Sequence, residues 1–414
     1  MGKSINFFDN MRSDSLRIFL LCLIAITLST ADQSLFSYAI PGIQAEFDID
    51  LKVIGYILSL SFFVASFAVV FVGILTDVIG RRVVLATLLA LSALFVGLHA
   101  LANSLLTLTI LRVCGFALGA GLYLVASTMV IETAPQHFRG IVAGTLQTGY
   151  PLGFALSALV VSPFIDTYGW RSVFLPAFLI LFFSPVIYYF LPESPKFEQI
   201  KNSGKNLIKE DFSYSLRKLV SDYKGPLFIC FAGSFFVSMA IGGTSYFLPT
   251  FLVDHFGLSL SEASKIVGSS YAIGAIGYLI AATVGEFLLT RRNTMIVWII
   301  LGGLFFLNTV WQANIGWVLF FSLGLTIMFL YGSEAVRMPM IGELFPTQLR
   351  GTATAISGSL AVTSAWLISP LLISSTVESI GWPMSFTLFG ILPLLLSSLA
   401  FSFAENRASN TEIH

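Results

Sequence analysis

Charge is what this chain has least of. Only 11% of its 414 residues are Asp, Glu, Lys or Arg, against about 25% in a typical soluble domain. No water-facing surface can be made from that inventory. Mean hydropathy is +0.87 and Phe alone occurs 39 times, so the outer surface must face lipid. Cysteine is equally sparse. Cys22, Cys114 and Cys230 all fall inside apolar runs, which excludes a disulfide framework and a Cys-based metal site. The four histidines, His99, His137, His255 and His414, are scattered and show no metal-ligand spacing. Walker A, H-E-x-x-H and nucleophile-elbow motifs are missing, so neither an enzyme nor a cofactor is expected, and nothing points to nucleic acid. Gly115, Gly119 and Gly121 follow no strand and read as close-packing residues. The first apolar run has no small-residue cleavage site behind it, so it reads as a retained helix.

What the chain does have is apolar length. Twelve runs lie near the ~20 residues needed to cross a bilayer. They fall at 15–41, 51–76, 83–101, 105–132, 141–164 and 171–191, then at 226–253, 261–289, 294–311, 317–344, 351–374 and 383–403. A nine-residue signature occurs twice: Glu132-Thr-Ala-Pro135-Gln-His-Phe-Arg139-Gly140 and Glu343-Leu-Phe-Pro346-Thr-Gln-Leu-Arg350-Gly351, offset by 211 residues. Each copy lies between two apolar runs. A charged turn repeated between the same hydrophobic segments marks a duplicated bundle. The expected fold is an all-α membrane protein of 12 transmembrane helices in two six-helix pseudo-symmetric bundles. The halves are 1–191 and 226–414, joined by the polar segment 192–225.

Basic residues set the orientation. With an even number of spans both termini share one side, and 17 of the 22 Lys and Arg fall there. Lys52, Arg171 and Lys265 are on the other side, and Arg112 and Arg337 lie within spans. The positive-inside rule puts both termini in the cytoplasm.

Between spans 2 and 3 the chain reads Gly73-Ile-Leu-Thr-Asp77-Val-Ile-Gly80-Arg81-Arg82. With the helix count and the duplication, this segment resembles the major facilitator superfamily over essentially the whole chain. It matches that superfamily's G-x-L-x-D-x-x-G-R-[RK] signature at every fixed position. The resemblance implies a cytoplasmic latch in which Asp77 faces a neighbouring helix and pairs with Arg81, while Gly80 makes the turn. Glu132 with Arg139 and Glu343 with Arg350 are the expected gating charges. The second-half counterpart, Gly285-Glu286 to Arg291-Arg292, lacks the Asp and implies an asymmetric latch.

Intramembrane charge costs at least ~2.5–3.5 kcal/mol, so it needs a reason. At ~1.5 Å rise per residue, Asp32 and Arg112 lie at matched depth. They look like the helix 1 Asp and helix 4 Arg of proton-coupled sugar porters, which implies proton coupling. A permanent ion pair joining helices 1 and 4 is the structural alternative. Glu334 and Arg337 share one helix face at i, i+3, and their repeat partners are Tyr123 and Ala126. Charge present in only one half is where substrate recognition is expected, with Arg337 clamping a carboxylate. An internal ion pair is the other reading. Gln147 corresponds to a helix 5 Gln that contacts substrate in sugar porters. Tyr150, Tyr331 and Trp366 join the expected cavity lining, with Tyr38, Tyr246 and Tyr271.

The branch is read from further segments. Pro192-Glu-Ser-Pro195-Lys196-Phe resembles sugar porters and organic-ion transporters, yet helix 7 lacks their sugar-binding pattern. Asp32-Gln-Ser-Leu-Phe-Ser-Tyr-Ala-Ile-Pro41 resembles anion:cation symporters, with Gln33 in place of Arg. Gly149-Tyr-Pro-Leu-Gly153 and Gly169-Trp170-Arg-Ser-Val-Phe174 resemble aromatic-acid and sialic-acid proton symporters. The resemblances together imply a monomeric proton-coupled importer of a small organic acid in a plasma or bacterial inner membrane. Its partners would be that substrate, protons and the bilayer. The alternatives are a sugar or polyol symporter and a drug-efflux antiporter.

Overall fold

The computed structural model describes residues 13–134, 139–194, 197–198, 212–312, 314, 316–346 and 348–406. Helix dominates and no strand occurs among the described residues, as a chain in lipid requires: each helix satisfies its own backbone groups. The first half contains α1 (Ser13–Phe47), α2 (Leu51–Ile79), α3 (Arg81–Leu98), α4 (Leu105–Thr133), α5 (Arg139–Leu146) and α6 (Gly149–Val161). Short turns then lead to α7 (Phe183–Phe190). After α8 (Phe212–Asp222) the second half holds α9 (Lys224–Ser245), α10 (Leu248–Phe256), α11 (Leu260–Phe287), α12 (Arg291–Trp311) and α13 (Trp317–Glu343). It ends with α14 (Arg350–Thr354), α15 (Ala361–Phe386) and α16 (Leu392–Ser402).

Among the described residues ten helical stretches are long and apolar enough to cross a membrane, against the twelve expected. The difference lies where helices are interrupted or fused. Pro151 has no N–H to give Gln147, four residues back. The Gln147 carbonyl instead accepts from Tyr150 N at 3.0 Å, and the run from 139 to 161 becomes the two short helices α5 and α6. Pro249 does the same to the carbonyl of Ser245, and α9 stops there. Gly381 has φ 76° and ψ 165°, so the 53-residue apolar stretch Arg350–Ser402 turns sharply in its middle.

Helix starts obey local chemistry. Ser104 Oγ accepts from Thr107 N at 3.2 Å ahead of α4. Ser259 and Glu262 form a reciprocal capping box on α11. Close approach depends on small residues. Gly149 and Gly153 of α6 press onto α1, where a Cβ on Gly153 would come within 2.6 Å of Thr30 Cβ and 2.7 Å of the Thr27 carbonyl. That packing fixes the rotation of α1, and with it the direction in which Asp32 points.

The two halves touch along the end of the bundle remote from the termini. Gly55 of α2 packs on Ser374 and the Pro370 carbonyl of α15, and Gly268 of α11 packs on Ala158 of α6. Ser261 Oγ donates to the Ser162 carbonyl at 2.6 Å and Ser261 N to Asp166 at 3.1 Å. At the other end α2 and α14 part. A Cβ on Gly73 would meet only Leu124 of its own half, and one on Gly351 would meet nothing within 4 Å. The halves also meet through α5, where a Cβ on Gly144 would stand 3.5 Å from the Ala335 carbonyl of α13. Between the halves, Glu193 and Ser194 belong to the first bundle, whereas Leu219 of α8 is buried in the second bundle's core with Cys230 and Phe345.

Candidate functional site

Asp32 is 0% and Arg112 is 2% exposed. Both lie in the first half, yet they form no direct ion pair. Gln33 stands between them. Its Nε2 donates to Ser92 Oγ at 2.9 Å and to the Gly115 carbonyl at 3.1 Å. Its carbonyl accepts from Arg112 Nη1 at 3.0 Å. Ser92 Oγ lies 3.1 Å from Asp32 Oδ2 and 3.3 Å from the Gly115 carbonyl; with a single proton it donates to one of them at a time. The lattice needs Gly119, because a Cβ there would stand 2.7 Å from Gln33 Nε2. Asp32 Oδ1, Arg112 Nε and Arg112 Nη2 are buried without a hydrogen-bond partner.

The guanidinium is enclosed by rings from both halves. Its carbon lies 4.6 Å from the Phe36 centroid, 4.8 Å from Phe116 and 5.5 Å from Tyr246. Phe62 of α2 continues the wall, at 4.8 Å from Phe116, 5.8 Å from Tyr246 and 5.3 Å from Trp366. Cation–π contact stabilises the charge by about 0.5–2 kcal/mol, but ring faces leave the three N–H bonds of Nε and Nη2 without an oxygen acceptor. Arg112 is thus a buried cation with open donors, walled by flat apolar surfaces. Trp366 Nε1 is also buried without a partner.

The second expected cluster is built differently. Arg337 Nε donates to both Glu334 oxygens at 3.0 Å, and Nη2 to Oε2 as well. The pair is internal to α13 and leaves only Nη1 unpartnered. Gln147 and Tyr150 sit at the α5–α6 break, half-buried, and Tyr150 packs on Tyr123 at 5.4 Å. Tyr331 joins Tyr271 and Ser245 through hydroxyl contacts of 3.4 and 3.2 Å.

Between α2 and α3, Gly80 has φ 109°, a conformation few side chains adopt. The turn it makes exposes the first N–H groups of α3. Glu193 caps them, accepting from Arg81 N at 3.0 Å and Arg82 N at 3.2 Å. Arg81 pairs with Glu132 at 3.1 Å, and Ser194 Oγ also donates to Glu132. Asp77 is loosely held, 3.8 Å from Arg81 with its side chain 59% exposed. In the second half Arg291 pairs with Glu343 and, at 2.6 Å, with Glu286. Glu286 therefore takes the place beside the arginine that Asp77 has in the first half, and the expected asymmetry is one of tightness rather than of composition. The Arg350 side chain runs beside Gly342 with its Nε unpartnered. The side chain of Arg139 lies outside the described residues.

Reading the sequence passed over Ser92, Phe36, Phe62, Phe116 and the capping role of Glu193 as site residues. Tyr246 was among the expected lining residues, and Pro249, four residues after Ser245, marks the helix break beside it, as broken helices near the membrane centre mark transporter binding sites.

A model of the Major Facilitator Superfamily matches residues 22–333 and 231–413. The cis,cis-muconate transport protein of Acinetobacter baylyi is 27% identical over 340 residues, covering 81% of each chain. The 4-hydroxybenzoate transporter PcaK of Pseudomonas aeruginosa is 25% identical over 422 residues, covering 93% of this chain and 91% of that protein. Among solved structures, the inward open xylose transporter XylE from E. coli aligns with a TM-score of 0.76 at 18% identity, over 96% of this chain and 98% of that one. A bacterial Spinster homolog in an inward-facing, unoccupied conformation gives 0.72 at 15% identity, over 95% and 98%. These two likenesses establish the fold.

Proposed function

This multi-pass membrane chain belongs to the Major Facilitator Superfamily, a family of transporters and not of enzymes, and we propose that it is a proton-coupled symporter importing a small organic acid by alternating access. The observation that carries the reading is the pairing of an Arg112 with open donors and an Asp32 with an open oxygen, held apart by Gln33. Ionised, the two residues sum to zero charge. A carboxylate arriving at Arg112 would leave one net negative charge in an apolar interior, which is costly. A proton taken by Asp32 restores neutrality. Anion and proton then favour each other's binding, and by linkage the coupling is reciprocal. Ser92 can turn its hydroxyl from Asp32 to the Gly115 carbonyl as the proton arrives. The named substrates of the relatives, muconate and 4-hydroxybenzoate, are carboxylates of the size such a site suits.

In this reading the chain crosses the membrane twelve times. α5 with α6 makes the fifth crossing, the segment from Trp170 to α7 the sixth, and α9 with α10 the seventh. The turn at Gly381 separates the last two. The monomer divides into residues 1–191, a cytoplasmic 192–225 and 226–414. In the same reading both termini are cytoplasmic, as the excess of basic residues on that side suggests, the membrane is a bacterial inner or plasma membrane, and the state described above is open inward. The test is uptake of labelled muconate and 4-hydroxybenzoate into proteoliposomes. An inside-alkaline gradient should drive accumulation above equilibrium, and a protonophore should collapse it. Accumulation of xylose but of neither acid, or drive by a sodium gradient alone, overturns the proposal.

The exposed Asp77 is assigned to the opposite state. When α2 and α14 close, its carboxylate would meet the start of the helical run at Arg350, a contact of about 1.5–3 kcal/mol if charge-assisted. Asp77→Asn should therefore raise the inward-open to outward-open ratio about tenfold or more. Spin labels at Val78 and Gly351 read the change as a larger long-distance population. An unaltered distribution rejects the latch.

A further inference from the structure

A helix begins with N–H groups that have no partner inside the helix. At α11 these are served twice, from two different halves. Ser259 Oγ accepts from Glu262 N at 3.2 Å, and Glu262 accepts from Ser259 N at 3.0 Å. Within this box, Ser261 N donates instead to Asp166 Oδ1 at 3.1 Å. Asp166 belongs to the first half, 95 positions away. The Ser261 hydroxyl adds a second bond across the same seam, to the Ser162 carbonyl at 2.6 Å. The local box already starts α11, so a carboxylate brought from the other half has a different use: it joins the halves.

Asp166 stands on a firm base. It lies on the single turn Ile165–Tyr168, which Gly169 ends at φ 73°. The next residue, Trp170, is 6% exposed, and its Nε1 donates to Glu46 of α1 at 2.9 Å. Arg171 pairs with the same carboxylate and donates to the Ala102 carbonyl, ahead of α4, at 2.8 Å. The turn is thereby tied to α1 and α4 of its own half. When α11 moves relative to that half, Asp166 stays behind and the bond to Ser261 breaks. The carboxylate is exposed, so water solvates it on release. We propose that Asp166 is an outer latch, which holds the outer ends of the two halves together by capping α11 and lets go when the outer side opens. This latch rests on the alternating-access reading and on nothing about substrate or coupling ion. The state described here fits it: Asp166 is engaged, while the Asp77 side chain at the opposite end is 59% exposed. Each carboxylate is assigned to the start of a helix in the other half, and each bond opposes the other in setting the balance of states.

The test measures the outer separation in the purified full-length chain. Spin labels at Asn103 and Gln312, exposed residues after α3 and α12, should report a short and a long population in wild type. Asp166→Asn keeps the size and removes the charge; Asp166→Ala removes the acceptor as well. The ratio of long to short should rise about threefold in the first variant and about tenfold in the second, the scales of a helix-terminal charge and of a charge-assisted hydrogen bond. Asp77→Asn should lower the ratio. The double variant Asp77→Asn with Asp166→Asn should return toward wild type, because effects at opposite ends of the molecule add. If Asp77→Asn shifts the populations and neither Asp166 variant does, or if the Asp166 variants favour the short one, the outer latch is rejected while alternating access stands. A single population that no variant alters rejects both.

Discussion

Asp32→Asn should abolish concentrative uptake while leaving exchange intact. The variant is nearly isosteric, so Ser92 keeps a partner and α1 keeps its packing on α6. What it removes is the carboxylate of the Arg112 lattice, the group assigned here to take and release the coupled proton. A pH gradient of two units can sustain roughly a hundredfold accumulation when one proton accompanies each substrate, since each tenfold is about 1.4 kcal/mol. That whole factor should vanish, leaving internal and external concentrations equal. Counterflow exchange needs no net proton movement and should persist. A permanently neutral residue 32 also leaves Arg112 without its compensating negative charge, so anion binding should be retained and lose its pH dependence. Wild type, by contrast, should bind the anion more weakly as pH rises, because the proton that balances it becomes scarce. Proteoliposome uptake with a labelled acid, measured with and without the gradient, decides the matter. Gradient-driven accumulation that survives in Asp32→Asn removes this carboxylate from the coupling mechanism.

The second large effect is expected at Arg112 and not at Arg337. Both are buried arginines in spans, but their donors are committed differently. Arg337 spends Nε and Nη2 on Glu334. Arg112 gives only Nη1 to Gln33, and its Nε and Nη2 have no hydrogen-bond partner. Arg112→Lys preserves the charge and loses the planar fork. Carboxylate binding should weaken by about 1.5–3 kcal/mol, the scale of a charge-assisted hydrogen bond, or roughly 10- to 150-fold. The neutral amide of the same acid should lose a similar amount against wild type and be nearly indifferent to the substitution, because the two changes delete one contact. Arg337→Lys should lack this coupling: its losses with acid and amide should be equal. A non-additive cycle at Arg337 and an additive one at Arg112 would exchange the two assignments and return the clamp to α13.

The contrast between those arginines shows where sequence stops being informative. Composition alone required a lipid-facing helical chain, because 11% charge leaves no soluble surface and helices satisfy their own backbone in lipid. The repeated signature at offset 211 pointed to two related halves, and the Gly73 to Arg82 segment pointed to the family that the comparison then showed. Rise per residue suggested that Asp32 and Arg112 are neighbours, and both join one buried lattice through Gln33 and Ser92. Proline could have located the helix breaks, since Pro151 and Pro249 each strip a carbonyl of its donor, yet the 20-residue count treated both runs as continuous. Rotation and partner choice are another matter. Whether Arg112 meets Asp32 directly or through Gln33 depends on ångström-scale packing, such as the space left by Gly119 and the approach of α6 at Gly153. Neither is encoded in spacing. The same holds for Glu132, whose pairing with Arg81 joins residues 51 positions apart, and for Glu193, which caps α3 from 112 positions away. The wall around Arg112 draws on Phe36, Phe62 and Phe116 from one half and Tyr246 and Trp366 from the other. Thirty-nine phenylalanines cannot be told apart by sequence when most of them face lipid or core. Only the packing of one bundle against the other selects the few that meet a charge.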